Sequence, residues 1–339
     1  MAALTFVAAL AALAQSAAPK KAPIVKLPNG DGSVRGDRLP DLNVNRYLGI
    51  PFAEPPTGKR RWASPEPPKS WSPAVRQATR WAPNCAQLSP PAWQTMDHNK
   101  SAYSEDCLYL NVFTPEPVSK EQRTLDYPVM VWIHGGGYAY GGAHDSELDG
   151  TQLADMSNVV VVTIQYRLDV FGFLGSESLR GTDNSTGNWG MQDQRMALQW
   201  VQDNIKAFRG NASKVTIFGE SAGAGGVSNH VAMPKSWGLF GRAIMQSGGF
   251  QRWVAKPLAW AERNYQALLK SIGCTGVECL LGKSTVELLE HAEGQRLPST
   301  DSWCASVSRV THPSLQATRC IYIWRSLQGR VCIIGKRCV

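Results

Sequence analysis

The chain has 339 residues, of which 43% are hydrophobic and 18% charged. That balance excludes a disordered or collagen-like polymer and supplies the core of one large domain or two ordinary ones. Five of the eight net positive charges fall in residues 301–339, where six Lys/Arg face only Asp301; with no basic stripe interleaved with aromatics in the body, nucleic-acid binding is excluded as a reading.

Met1 to Ala14 is an apolar run, well short of the roughly 20 residues that cross a bilayer. Small residues at Ala12 and Ala14, or at Ala14 and Ser16, suit signal-peptidase cleavage, so residues 1–16 are assigned as a signal peptide, although the n-region carries no Lys or Arg. An apolar first helix is the other reading, and Pro19, Lys20 and Lys21 would break it at once.

From residue 19 to 92 the prolines at 51, 55, 56, 65, 67, 68, 73 and 83 forbid long helices and predict loops and short strands. Beyond Pro128, Val129–Ile133 and Val159–Ile164 are continuous apolar runs of strand length, as expected where both faces of a parallel sheet are covered. Between Met191 and Phe208 the apolar residues Ala197, Leu198, Val201, Ile205 and Phe208 recur at helical spacing, and the strand-like Val215–Phe218 follows. Buried strands alternating with amphipathic helices predict right-handed crossovers onto a mostly parallel sheet: an α/β fold with helices on both faces.

The eight cysteines suit an oxidising compartment, and no spacing among them suggests a zinc site. Asn99, Asn184 and Asn211 stand in glycosylation sequons.

Gly219-Glu-Ser-Ala-Gly223 matches the nucleophile-elbow pattern and lies between a predicted strand and a helix-compatible stretch, which makes Ser221 the candidate nucleophile. His134-Gly-Gly-Gly-Tyr138 directly follows the Val129–Ile133 strand, where such a loop supplies oxyanion donors. The backbone amides of Gly136, Gly137 and Ala222 are the candidate donors. A phosphate-binding reading lacks the Lys-Ser/Thr and the GxGxxG opening that it needs. No cofactor and no metal are called for.

These motifs resemble the carboxylesterase type B, or cholinesterase-like, family of α/β-hydrolases. Further blocks carry the resemblance: Tyr47–Pro56, Ser104–Phe113, Gly187–Arg195 and Gln246–Gly249, all in the family's order from about residue 23 to about residue 292. The resemblance implies disulfides Cys85–Cys107 and Cys274–Cys279, internal ion pairs Arg61–Glu105 and Arg167–Asp193, and a loop-shaping role for His134. It also implies a small-molecule carboxylic ester as substrate. The aromatic platform of cholinesterases is not indicated, because Asp97 stands at the corresponding spacing; Trp93, four residues earlier, is the alternative and would substitute through a loop shift.

A serine hydrolase of this fold also needs an acid and then a His after the nucleophile. After Ser221 only His230, His291 and His312 remain; the first two sit in helical patterns, and His312 with Asp301 lies where the resemblance stops. Residues 17–295 are therefore the N-terminal part of a carboxylesterase domain. Residues 296–339, with Cys304, Cys320, Cys332 and Cys338, form a divergent tail, read as a shifted frame or retained intron ahead of a divergent subdomain. The C-terminal part of the fold is expected to be missing, and the chain to be nearly inert. A non-catalytic cholinesterase-like interaction module is the alternative, against which an intact elbow argues.

Overall fold

The computed structural model describes residues 21–39, 41–88, 103–117, 126–143, 149–251, 255–293, 305–307 and 331–335. The assigned signal peptide, Asn99, Trp93, Asp97, Asp301, His312, Cys304, Cys320 and Cys338 lie outside them.

The strands are β1 (Lys21–Lys26), β2 (Ser33–Leu39), β3 (Val44–Pro51), β4 (Val75–Gln77), β5 (Asn84–Cys85), β6 (Tyr103–Ser104), β7 (Tyr109–Pro115), β8 (Tyr127–Ile133), β9 (Val160–Ile164), β10 (Gly210–Glu220), β11 (Arg242–Gln246), β12 (Ala255–Pro257), β13 (Ala305–Val307) and β14 (Val331–Gly335). The helices are α1 (Gly150–Ser157), α2 (Asp169–Phe173), α3 (Trp189–Asn204), α4 (Ala222–Ala232), α5 (Leu258–Ile272), α6 (Val277–Leu281) and α7 (Thr285–Glu293). The main sheet runs β1-β2-β3-β7-β9-β8-β10-β11-β14, with β4 beside β2. Pairing is parallel through its centre, β9-β8-β10-β11. It is antiparallel from β1 to β9 on one side and between β11 and β14 on the other. The predicted Val129–Ile133 and Val215–Phe218 fall inside β8 and β10, the predicted Val159–Ile164 starts one residue before β9, and the predicted helix is α3 continued by a 3₁₀ turn over Ile205–Phe208.

Strand alternation explains how the two faces are covered. Val129, Val131, Val162, Val215 and Ile217 are fully buried with Leu198 and Val201 of α3 and Ala224 and Val227 of α4. Each such side chain contributes about 1.5–3 kcal/mol of burial. On the opposite face α1 packs Ala154 against Phe113 and Val161, while Met130, Thr216, Phe218 and Ile244 are only half-buried. The sequence pattern predicts cover on both faces for the runs in β8 and β9: every residue of β9 is buried, whereas β8 is only half-covered at Met130.

Charge pairs tie distant segments together. The Arg61 guanidinium donates to both carboxylate oxygens of Glu105 at 2.7 and 2.8 Å and to the carbonyls of Leu280, Leu281 and Lys283. Arg167 donates from Nε and Nη2 to Asp193, both at 2.8 Å, and from Nη1 to the carbonyls of Arg61 and Ala63. Removing one partner of such a buried pair costs about 3–5 kcal/mol. Cys85–Cys107 and Cys274–Cys279 are bonded, with Cα separations of 4.9 and 5.6 Å.

Candidate active site

Three chain reversals meet at the C-terminal ends of the parallel strands β8, β10 and β11, where α/β sheets open their ligand crevice. After β10 the chain turns at Ser221, with φ 52° and ψ −118°, and enters α4 at once. A non-glycine residue in that region is strained, and its surroundings hold it there. The Ser221 N–H donates to the Gln246 carbonyl at the end of β11 at 2.8 Å.

The flanking glycines are required by contact. A Cβ at Gly219 would stand 2.7 Å from the Ile133 carbonyl oxygen, and one at Gly223 2.0 Å from the same atom. Strand β10, helix α4 and the end of β8 thus touch backbone to backbone.

The loop His134–Ala143 leaves β8 beside this turn. A Cβ at Gly135 would lie 3.3 Å from the Ser221 Cβ, so the two backbones are neighbours. Gly136 at φ 103° has no room for a side chain, being pressed on the Tyr140 carbonyl, whereas Gly137 at φ 61° faces open space. The Gly136 carbonyl accepts from the N–H groups of Ala139 and Tyr140, which closes the turn. Ala222, the first residue of α4, has an N–H without an intrahelical partner. The three candidate amides and Ser221 are therefore contributed by adjoining segments.

His134 is loop architecture, as the resemblance implied. Its ring stacks on Tyr166 at 4.3 Å, and the Tyr166 hydroxyl donates to the His134 carbonyl at 2.8 Å. The described histidines after Ser221 are engaged elsewhere. His230 in α4 is fully buried, with Nδ1 at 2.9 Å from the Ser236 hydroxyl and Nε2 at 3.0 Å from Gln194 Oε1. Burial, with Arg195 adding to it, pushes its pKa down to about 3, so it is neutral at ordinary pH. His291 in α7 has Nδ1 at 2.8 Å from the Ser271 hydroxyl of α5. Among the described residues, none hydrogen-bonds the Ser221 hydroxyl.

Glu220, inside the elbow motif, is exposed at the end of β10 and carries no sequence signal beyond its place beside the nucleophile. Partial desolvation holds its carboxyl above the usual range, opposed by a hydrogen bond from Ser247. Among the described residues no group of His, Cys, Asp or Glu could hold a metal, and no helix is long and apolar enough to cross a membrane.

A strand, a strained serine turn and a helix at the C-terminal end of a parallel central sheet are the architecture of an α/β-hydrolase. The model of the carboxylesterase family matches residues 21–311, and the chain belongs to that family. It is 44% identical over 287 residues to an acetylcholinesterase of Bungarus fasciatus, covering 80% of this chain and 46% of the relative. It is 43% identical to a medium-chain fatty acyl-CoA hydrolase precursor of Anas platyrhynchos, covering 76% and 47%, and 44% identical to carboxylesterase 1D of Mus musculus, covering 72% and 44%. Among solved structures it is similar to a thermophilic PNB esterase, with a TM-score of 0.75 and 36% identity over 84% of this chain and 57% of that one. The chain spans about half the length of these curated relatives.

Proposed function

We propose that the chain is a secreted serine hydrolase of small carboxylic esters. Ser221 Oγ would attack the ester carbonyl and form an acyl-enzyme, while the amides of Gly136, Gly137 and Ala222 receive the developing oxyanion. The observation that carries this reading is the strained Ser221 turn lying against the Gly135–Gly137 loop. Strain of that kind persists where the surroundings over-determine it, and it presents the hydroxyl above the sheet. Amide donors placed where charge appears are each worth about 3 kcal/mol in the transition state.

The reading assigns low activity to these 339 residues taken alone. Among the described residues His230 and His291 serve other partners, and a serine hydroxyl without a proton acceptor is a weak nucleophile. Oxyanion donors and binding alone leave an acceleration of about 10³–10⁴ over water. Simple aryl or alkyl esters are the proposed substrates, ahead of choline esters, because Asp97 stands where an aromatic platform would be. No cofactor is required.

Secretion is supported by the apolar start of the chain and the two disulfides. Asn184 stands on an exposed turn and Asn211 is half-buried, so Asn184 is the better-presented of the two as a glycan acceptor. The esterase part is assigned to residues 17–295 and the segment 296–339 to a separate tail.

The test is covalent labelling with a fluorophosphonate. The reading requires labelling that disappears in Ser221→Ala. Folded protein that takes no label at any concentration would instead favour a non-catalytic interaction module.

A further inference from the structure

The His134–Ala143 loop returns to the sheet through Gly141, and both peptide groups of that residue are held by one side chain. Gln87 is buried. Its Nε2 donates to the Gly141 carbonyl at 2.8 Å, and its Oε1 accepts the Gly141 N–H at 2.9 Å. The second hydrogen of Nε2 goes to the Cys85 carbonyl at 3.0 Å, on the residue bonded to Cys107. Gly141, at φ 109°, has no space of its own: a Cβ there would meet the Gly135 carbonyl and the His134 ring, each at 2.6 Å. Gly135 in turn lies against Ser221. A continuous set of contacts therefore runs from the disulfide-anchored Gln87 through Gly141 and Gly135 to the segment that carries Gly136 and Gly137.

At ordinary pH a carboxamide offers one donor and one acceptor, side by side and in plane, to the C=O and N–H of a single residue, a pairing that a carboxyl matches only when protonated. We propose that Gln87 is the positioning residue of the oxyanion loop: its amide clamps Gly141 as a strand neighbour would and thereby fixes the amides of Gly136 and Gly137 opposite Ser221. This deepens the esterase reading and rests on it for its catalytic consequence, but the clamp itself has a separate observable. Positioning matters because oxyanion donors act only when preorganised at the place where charge develops.

Two variants and a control test it. Gln87→Met keeps the length and removes both polar partners. Gln87→Glu keeps the shape and restores a donor and an acceptor to Gly141 only while its carboxyl is protonated. Asn204→Ala is the control: it removes a buried amide whose partners are the Trp200 carbonyl and the Asn29 N–H, in another part of the molecule.

Amide hydrogen exchange across residues 134–143 is the first readout. Losing the clamp in Gln87→Met leaves two buried peptide groups unpaired and is expected to speed exchange about tenfold or more, while Asn204→Ala leaves this segment unchanged. In Gln87→Glu, protection is expected at low pH and is lost as the carboxyl ionises, above the ordinary glutamate range because the site is buried. Wild type and Gln87→Met, carried through the same pH series, remove the contributions of His134, which abuts Gly141, and of Glu105 and Arg167 beside the disulfide.

The second readout is fluorophosphonate labelling of Ser221. Its maximal rate is expected to fall about tenfold in Gln87→Met, with its concentration dependence unchanged, and to recover at low pH in Gln87→Glu. Loop exchange that is the same in wild type and Gln87→Met, or a labelling loss shared equally by Asn204→Ala, would overturn the proposal. Loop exchange that responds while wild-type Ser221 never labels would remove the esterase reading and leave the clamp standing.

Discussion

The serine turn and the loop facing it are restrained by different means. Around Ser221 the restraint is backbone on backbone: Gly219 and Gly223 leave no gap to the end of β8, and Ser221 itself is bonded to β11. The loop from His134 to Ala143 is instead held by side chains from elsewhere in the chain, the Tyr166 hydroxyl on the His134 carbonyl and the Gln87 amide on Gly141. Glycine serves opposite ends in the two places. At Gly223 it removes an atom that has nowhere to go; at Gly137 it permits a positive φ in open space. The turn should therefore fail abruptly when altered, and the loop by degrees.

The largest expected effect is at the turn. Gly223→Ala would place a methyl 2.0 Å from the Ile133 carbonyl oxygen, and because backbone must move to relieve it, a loss of about 3 kcal/mol is expected. Thermal or urea unfolding would measure it, together with loss of Ser221 labelling. A variant of wild-type stability would show that the turn is as adaptable as the loop.

Acid sharpens the comparison from the helix side. His230 anchors α4 to Gln194 and Ser236 as a neutral ring with its pKa pushed down to about 3. Its folded value lies below its unfolded one, so the unfolded chain takes up the proton first. The contribution to stability is complete above pH 6.5 and declines as pH falls toward about 3. Over the first two units below 6.5 the loss should reach about 2.7 kcal/mol. His230→Gln should lower stability at neutral pH and flatten that dependence in urea titrations.

Gly137→Ala tests the loop directly. With open space around it and φ 61°, the added methyl meets only the left-handed backbone cost of about 1 kcal/mol. The variant should fold, with its melting temperature little changed. The smallest effect has the opposite sign: Ser221→Gly should stabilise by a few tenths to about 1 kcal/mol by releasing the strain at φ 52°. A destabilised Ser221→Gly would mean that the turn stores no strain.

The turn was legible in the sequence because its requirement is local. Two glycines flanking a serine, after a run of strand length, leave few alternatives, and Ser221 with its neighbours lies where Gly219–Gly223 predicted. The ion pairs and disulfides were legible only through family resemblance; nothing near Arg61 points to Glu105. Gln87 was not legible, since a glutamine two residues after a cysteine looks like any surface residue until the fold brings Gly141 to it. The half-covered face of Phe218 and Ile244 agrees with the uncovered apolar surface that a missing C-terminal part implies, but the strand residues themselves do not point to it. An apolar strand residue signals a preference for burial and does not say whether a layer arrives to bury it. Nor did anything in residues 296–339 suggest that Val331–Gly335 would pair antiparallel along β11.

Arg61 sets a timetable as well as a contact. The carbonyls that take up one of its guanidinium nitrogens belong to residues 219, 220 and 222 positions later in the chain. At the ribosome's pace of about 5–20 residues per second, roughly 10 to 45 s separate the synthesis of the arginine from that of its acceptors. For most of that interval the guanidinium has the Glu105 carboxylate, 44 residues later in the chain, but not the carbonyls that take up its third nitrogen. That nitrogen must therefore keep water as its partner until the α6–α7 corner has been made.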